Sequence, residues 1–218
     1  MLAPENQPNK ESILVTSCIF PLLPMFWGLP FSSMGKAGAH STQEIYAEMT
    51  RKYPIEKWIE VIRGLSDRAV FFIIGGPIEE EDGAAIERSA PKDAVCNLTG
   101  KLSVEESLAV IAAAELYLGN DTGMMHAAAA SGRPIVAVFR EAVDREEILT
   151  GVLSEYRRFE PWQIPYIALR PEHPLDDCGK SMIYGWCTVH DRPHCITQVK
   201  SEEVIEAVNT AFKDFLKK

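Results

Sequence analysis

Glu115-Leu-Tyr-Leu-Gly-Asn-Asp-Thr-Gly-Met-Met-His-Ala-Ala-Ala-Ala-Ser-Gly-Arg-Pro-Ile-Val-Ala-Val-Phe139 reads as one complete strand–helix–strand unit. Glu115–Gly119 and Ile135–Phe139 are short apolar runs, the pattern of strands buried on both faces. Between them Gly123–Ser131 is Ala-rich and helical by propensity. Gly132 supplies the usual helix terminator, and Pro134 marks the stop before the next strand. Two parallel strands joined by a helix imply a right-handed crossover and a sheet with helices on both faces.

The flanking sequence repeats the alternation. Ala69–Gly75 is a continuous apolar run ending in Gly-Gly-Pro, and Glu79–Ser89 follows as a helix. Ile55–Leu65 is predicted as a helix before that run, and Ala94–Leu98 as a weaker strand after it. Ser103–Ala114 is predicted as a helix with a capping box, Ser103 with Glu106, and with Val104, Leu108 and Ile111 on one face. Tyr166–Leu169 is a sixth strand candidate, and Glu202–Phe215 an amphipathic terminal helix. The predicted fold is therefore α/β, a Rossmann-like, mostly parallel sheet.

Residues 1–50 are set apart as an N-terminal extension, and 51–218 form the Rossmann-like domain. Within the extension Ile13–Phe20 reads as a buried strand. Ser12–Phe31 carries no charge, but Pro21, Pro24, Gly28 and Pro30 interrupt it, which argues against a spanning helix. Val15-Thr16-Ser17-Cys18 has only a superficial likeness to a lipoprotein cleavage site, because its apolar residues follow the cysteine. Packing on its own domain and peripheral contact with a membrane are the two readings of this segment.

Composition removes several function classes. The 218 residues carry 22 Lys and Arg against 31 Asp and Glu, a formal charge of −9. A general nucleic-acid binder needs a basic footprint, so nucleic acid is not expected as a partner. A local phosphate site remains compatible with that balance. Five scattered cysteines do not form a disulfide framework, which points to a reducing cytoplasm. Cys178, Cys187, His190, His194 and Cys195 crowd one stretch of the tail, yet their spacing fits no common zinc finger. Buried thiols and surface histidines are the simpler reading, and no metal is expected.

Chemistry is expected beyond the carboxyl ends of the strands. In Gly119–His126 a strand stops, a polar turn follows and a helix begins. Thr122 is predicted to cap that helix, leaving the N–H groups of Gly123, Met124 and Met125 to face an anion. His126, one turn on from Thr122, can reach a phosphate there, and Asp121 suits ligand hydroxyls or loop N–H groups better than phosphate. The ordinary alternative is an N-capped helix with a core histidine. Asp121-Thr-Gly123 also spells the aspartic-protease triplet, but it occurs once and opens a helix, so that reading fails. Glu79, just past a strand end, suits ribose hydroxyls; equally, Glu79, Glu80 and Glu81 suit a helix dipole. Arg51 and Lys52 precede a helix and suit a diphosphate, or are simply solvated.

Taken together, these blocks resemble the donor-binding half of glycosyltransferase family 9, the bacterial heptosyltransferase family. The likeness is carried by Lys52-Tyr-Pro-Ile-Glu-Lys-Trp58, Asn97-Leu-Thr-Gly-Lys-Leu-Ser-Val-Glu-Glu-Ser107, Ile111-Ala-Ala-Ala114 and Gly119–Pro134. It implies the C-terminal domain of a GT-B fold, binding a nucleotide-activated sugar, often ADP-heptose, without a metal. It further implies diphosphate contact by Arg51 or Lys52, ribose contact by Glu79 and adenine contact near Leu102. Asp121, Thr122, Gly123 and His126 match the pyrophosphate and sugar loop. The expected acceptor is a bacterial lipopolysaccharide or another glycan, and the expected location is the cytoplasm, at the inner membrane. Two departures stand out. Arg140-Glu-Ala142 replaces the family's usual Gly-Pro-Thr. No N-terminal Rossmann domain with its general base is recognisable, so no catalytic residue is assigned and activity of this chain alone is left open. The alternative is therefore an inactive nucleotide-sugar binding module, with a separate N-terminal-half chain as a possible partner.

Overall fold

The structure is a computed structural model that describes residues 12–17, 51–144, 155–175 and 194–216. Its elements in chain order are β1 (Ser12–Ser17), α1 (Ile55–Leu65), β2 (Ala69–Ile74), α2 (Glu80–Ser89), β3 (Val95–Asn97), α3 (Val104–Ala113), β4 (Leu116–Asn120), α4 (Gly123–Ala130), β5 (Ile135–Val138), α5 (Glu155–Phe159), β6 (Tyr166–Leu169) and α6 (Ser201–Asp214). Short 3-10 turns at Pro77–Glu79 and Cys195–Gln198 precede α2 and α6.

All six strands are parallel and lie in the order β3-β2-β1-β4-β5-β6. The chain steps outward from β1 to β3, then returns to start again beside β1. That reversal opens a crevice beyond the carboxyl ends of β1 and β4, where doubly wound sheets bind ligands. β1 pairs with both neighbours, Thr16 opposite Ile73 on one side and Leu118 on the other. The sheet thus takes a central strand from the segment that the boundary at residue 51 set apart. The described strand, Ser12–Ser17, overlaps the expected Ile13–Phe20, of which 18–20 lie outside the described residues.

Two apolar layers sandwich the sheet. On one face Trp58, Val61, Ile62 and Leu65 of α1 and Val204, Val208 and Ala211 of α6 cover Phe71, Ile73, Leu118 and Val138. On the other, Ile111 of α3 and Met124, Met125 and Ala128 of α4 cover Ile74, Tyr117, Ile135 and Ala137. Alternate residues of β4 and β5 feed the two layers, as the period of two requires. Trp58 is almost fully buried, and its removal to alanine would cost about 3–5 kcal/mol.

α3 begins with the expected capping box: Ser103 Oγ accepts the Glu106 N–H at 3.1 Å, and Glu106 Oε2 accepts the Ser103 N–H at 2.7 Å. Its buried line differs from the expected one. Val104 and Leu108 are exposed, whereas Ser107 and Ile111 are buried. α3 packs on the Ala-rich α4. The bulkier aliphatics are left on the outer side.

Candidate functional site

The entry to α1 is anchored by Tyr53. Its ring is fully buried, meets Trp58 edge-on at 5.0 Å, and its hydroxyl donates to Val199 O at 3.0 Å. Pro54 caps α1, and its carbonyl accepts the Lys57 and Trp58 N–H groups, both at 3.1 Å. This fixed Tyr-Pro pair sends Arg51 and Lys52 in separate directions. Lys52 is ion-paired with Asp82 of α2. Arg51 lies over the Phe159 ring, 5.7 Å from its centre.

Glu79 is set apart from its acidic neighbours. Glu80 and Glu81 are exposed, but Glu79 is only 5 % exposed and its Oε2 has no hydrogen-bond partner. A side chain on Gly76 would crowd that oxygen, since a Cβ there would lie 3.2 Å from it. Burial pushes the Glu79 carboxyl up to about 7, against the opposing pull of a Gly76 backbone hydrogen bond and of Lys52. A buried acid with one unpartnered oxygen at the end of β2 has capacity for a further hydrogen bond.

The β4–α4 turn holds the second part. Asn120, Asp121 and Thr122 are all buried, and both amide atoms of Asn120 are without partners. Thr122 occupies the N-cap position, but its hydroxyl does not cap. It hydrogen-bonds instead with the Tyr117 hydroxyl at 3.2 Å. Gly119 makes that contact possible, because a Cβ there would lie 2.7 Å from the same phenol oxygen. The expected capping bond is therefore replaced by a tertiary one. The Met125 N–H donates to Thr122 O at 3.1 Å, so two N–H groups rather than three, those of Gly123 and Met124, lack a partner among the described residues. They leave the positive end of α4 without a capping side chain.

His126 keeps an exposed edge, while the protein on its other sides lowers its pKa by desolvation. Phe159 lies 6.5 Å from it, centre to centre, so one ring links His126 and Arg51. Leu102, in the β3–α3 connection, is half-buried against the α3–α4 layer.

The helix carrying Phe159 was not anticipated from the sequence. Glu155–Phe159 is too short to show a period, and it forms because its neighbours hold it. Glu141 Oε2 accepts the Tyr156 N–H at 2.6 Å, Arg170 stacks on the Tyr156 ring at 4.0 Å, and Phe139 meets that ring edge-on at 5.1 Å. Arg170 in turn donates to the carbonyls of Glu141 and Ala142. Arg140, Glu141 and Ala142 are all buried; the segment that departs from the family pattern is the one that clamps α5.

Among the described residues no group of three or more His, Cys, Asp or Glu is placed to hold a metal. Cys178, Cys187 and His190 lie outside the described residues. Cys195 Sγ lies 3.5 Å from His194 Nδ1 and accepts the Leu175 N–H at 3.5 Å. No helix among the described residues is long and apolar enough to cross a membrane. A groove of about 450 Å³ lies between β6 and α6 and reaches Val143 and Arg170.

A six-stranded parallel sheet with this reversal, and an open helix start beside it, defines a Rossmann-like domain of the type found in GT-B glycosyltransferases. Residues 39–151, just over half of the chain, match glycosyltransferase family 9 (heptosyltransferase), and the chain belongs to that family. It is 28% identical over 95 residues to lipopolysaccharide heptosyltransferase 2 of Escherichia coli strain K12, a match covering 41% of this chain and 27% of that enzyme. The Salmonella typhimurium enzyme of the same name gives the same identity and coverage. The fold superposes on E. coli ADP-heptose lps heptosyltransferase II with a TM-score of 0.63 at 16% identity, covering 96% of this chain and 49% of that one. A family 9 glycosyltransferase from Veillonella parvula gives 0.59 at 18% identity, covering 94% and 47%. E. coli heptosyltransferase WaaC with ADP gives 0.53 at 18%, covering 93% and 45%. The chain thus spans about half the length of these structures.

Proposed function

We propose that this chain is the donor-binding part of a heptosyltransferase-like glycosyltransferase, holding a nucleoside-diphosphate sugar along the carboxyl edge of its sheet. The observation that carries the reading is the uncapped start of α4. Its Gly123 and Met124 N–H groups lack partners among the described residues, Thr122 bonds Tyr117 instead of capping, and Arg51 and His126 meet at the Phe159 ring. Diphosphate oxygens satisfy those N–H groups and draw on the helix dipole. Glu79 accepts ribose hydroxyls with its unpartnered oxygen, Leu102 lies against the base, and buried Asp121 takes a sugar hydroxyl. Arg51 or Lys52 supplies the diphosphate cation; Lys52 is ion-paired with Asp82, and Arg51 lies over Phe159.

In transfer the bond from the sugar to the diphosphate breaks, an acceptor oxygen bonds to the same carbon, and charge develops on the departing phosphate oxygen. The α4 N–H groups, the cation of Arg51 or Lys52, and His126 stabilise that charge, and no metal is needed. The donor is ADP-linked and the acceptor a lipopolysaccharide or related glycan, a reading supported by the names of the relatives; the scattered cysteines suit a cytoplasmic location at the inner membrane. A calorimetric titration with ADP, UDP and GDP tests the reading. Saturable binding, tightest for ADP, is expected, and absence of binding by all three at millimolar concentration refutes it. Turnover of ADP-heptose by the purified chain separates an enzyme from a binding module.

A further inference from the structure

Two asparagines end strands at the carboxyl edge of the sheet, and they behave differently. Asn97, the last residue of β3, is partnered through both amide atoms. Its Oδ1 accepts the Thr99 N–H at 3.1 Å and the Thr99 hydroxyl at 2.7 Å, and its Nδ2 donates to Glu87 at 3.2 Å. Asn120, the last residue of β4, has no solvent exposure, and neither its Oδ1 nor its Nδ2 has a hydrogen-bond partner among the described residues. Leu118 belongs to the layer under α1 and α6, so alternation puts Asn120 on that same face, beside its register partner Val138. A buried amide with both atoms unpartnered is costly, and folded proteins keep such groups rare.

The register places Asn120 in the crevice where β1 and β4 diverge. Gly119 pairs with Ser17, and Ser17 with Ile74, so Asn120 stands one step beyond the common end of β1, β2 and β4. The start of α4 forms the opposite wall, since α4 covers the other face of the sheet. Glu79 follows β2 and Leu102 follows β3, both across β1 from Asn120. Neighbouring strands lie about 4.8 Å apart, so Asn120 is about 10 Å across the sheet from the end of β2. A diphosphate spans that interval when it joins a ribose on the β2 side to a sugar on the β4 side.

We infer that Asn120 reads the transferred sugar, its amide bonding hydroxyl groups on the glycosyl part of a nucleoside-diphosphate sugar. The inference rests on the donor-binding reading and adds to it a specificity-determining residue. A hydroxyl both donates and accepts, so it suits Oδ1 and Nδ2 alike, whereas a phosphate only accepts and would leave Oδ1 unpartnered. The amide is enclosed in the ligand-free chain, so its contact with the sugar includes a local opening of the crevice on binding. A sugar of the acceptor offers the same hydroxyl chemistry, and titration of the donor with no acceptor present separates the two sources.

The test is calorimetric titration of ADP and of ADP-heptose, without acceptor, into the 218-residue chain and into its Asn120→Leu and Asn120→Ala variants, with urea denaturation of each ligand-free protein. Asn120→Leu should weaken ADP-heptose binding about tenfold, the loss of one or two neutral hydrogen bonds, and hold ADP within about twofold of the parent. Its denaturation midpoint should be no lower than the parent's, because an amide without partners gives the free chain no hydrogen bond to lose. Asn120→Ala, which adds no bulk, should show the same split between the two ligands. Equal losses for ADP and ADP-heptose, or no loss for either, overturn the inference and leave the donor-binding reading standing, because the parent chain still binds. A lowered midpoint in Asn120→Leu, or failure of both variants to fold, overturns it too, since the amide would then be bonded within this chain. A parent chain that binds neither ligand overturns both readings.

Discussion

Gly119→Ala should loosen the site from inside the sheet. The added methyl would lie 2.7 Å from the Tyr117 hydroxyl oxygen, 2.9 Å from Cζ and 3.1 Å from Cε1. Tyr117 is fully buried among Met124, Met125, Ile135 and Ala137, so its ring has little room to retreat. Overpacking of this kind costs about 1–3 kcal/mol, and a ring displaced from Thr122 forfeits about 0.5–1.5 kcal/mol of hydrogen bonding. Removing a glycine from a strand returns about 0.5–1 kcal/mol. The net is a loss of about 2 kcal/mol, which urea denaturation would read as a midpoint lowered by about 1 M. Tyr117→Phe removes the closest atom and should cost about 1 kcal/mol alone. Because that change also gives the methyl space, the double variant should lose less than the sum of the two, by about 0.5–1 kcal/mol. A Gly119→Ala chain within about 0.5 kcal/mol of the parent, or a strictly additive cycle, would refute the reasoning.

Three further outcomes follow from the geometry. Glu79 titrates near 7 in the folded chain against 4.5 when free, so between those values the folded state holds a proton that the unfolded state has lost. Stability should therefore fall as pH rises through that window, by about 1–3 kcal/mol; Glu79→Gln should not share the fall, and parallel pH profiles would contradict this. Ser103→Ala removes one half of the α3 capping box and should cost about 1 kcal/mol in thermal or chemical denaturation. Gly83→Val should cost more than Gly83→Ala, because even a Cβ there would lie 2.7 Å from Asn97 Oδ1; comparing the two denaturation midpoints checks it.

The sheet could be read from the chain because its signals are local. β2, β4 and β5 are short apolar runs closed by Gly, Pro or polar turns, and the observed strands Ala69–Ile74, Leu116–Asn120 and Ile135–Val138 fall within a residue of the runs. Tyr166–Leu169 and Ile55–Leu65 match their expected spans. The motif residues Glu79, Asp121, Gly123 and His126 all fall at the carboxyl edge for the same reason: each follows a strand end by a few residues.

What escaped the sequence is tertiary. Thr122 looks like a cap, yet its hydroxyl bonds Tyr117, a choice set by the space that Gly119 leaves. Ser107 replaces Val104 and Leu108 on the buried side of α3, which packs on the Ala-rich α4. α5 has no periodicity to detect, and its placement depends on Glu141 and Arg170, which are distant in the chain. Phe159 therefore carries no local sign of the company it keeps. The pairing of Lys52 with Asp82 is likewise a contact across elements, and it separates two adjacent cations that the sequence leaves equivalent.

The central claim is that a nucleoside diphosphate sits on the start of α4. Two-dimensional NMR of the isotopically labelled chain during titration with ADP, with adenosine as the control, tests it most directly. The Gly123 and Met124 backbone amides should shift and saturate with ADP and move much less with adenosine. Saturable ADP binding that leaves both amides unmoved, with shifts confined to the groove between β6 and α6, would contradict it.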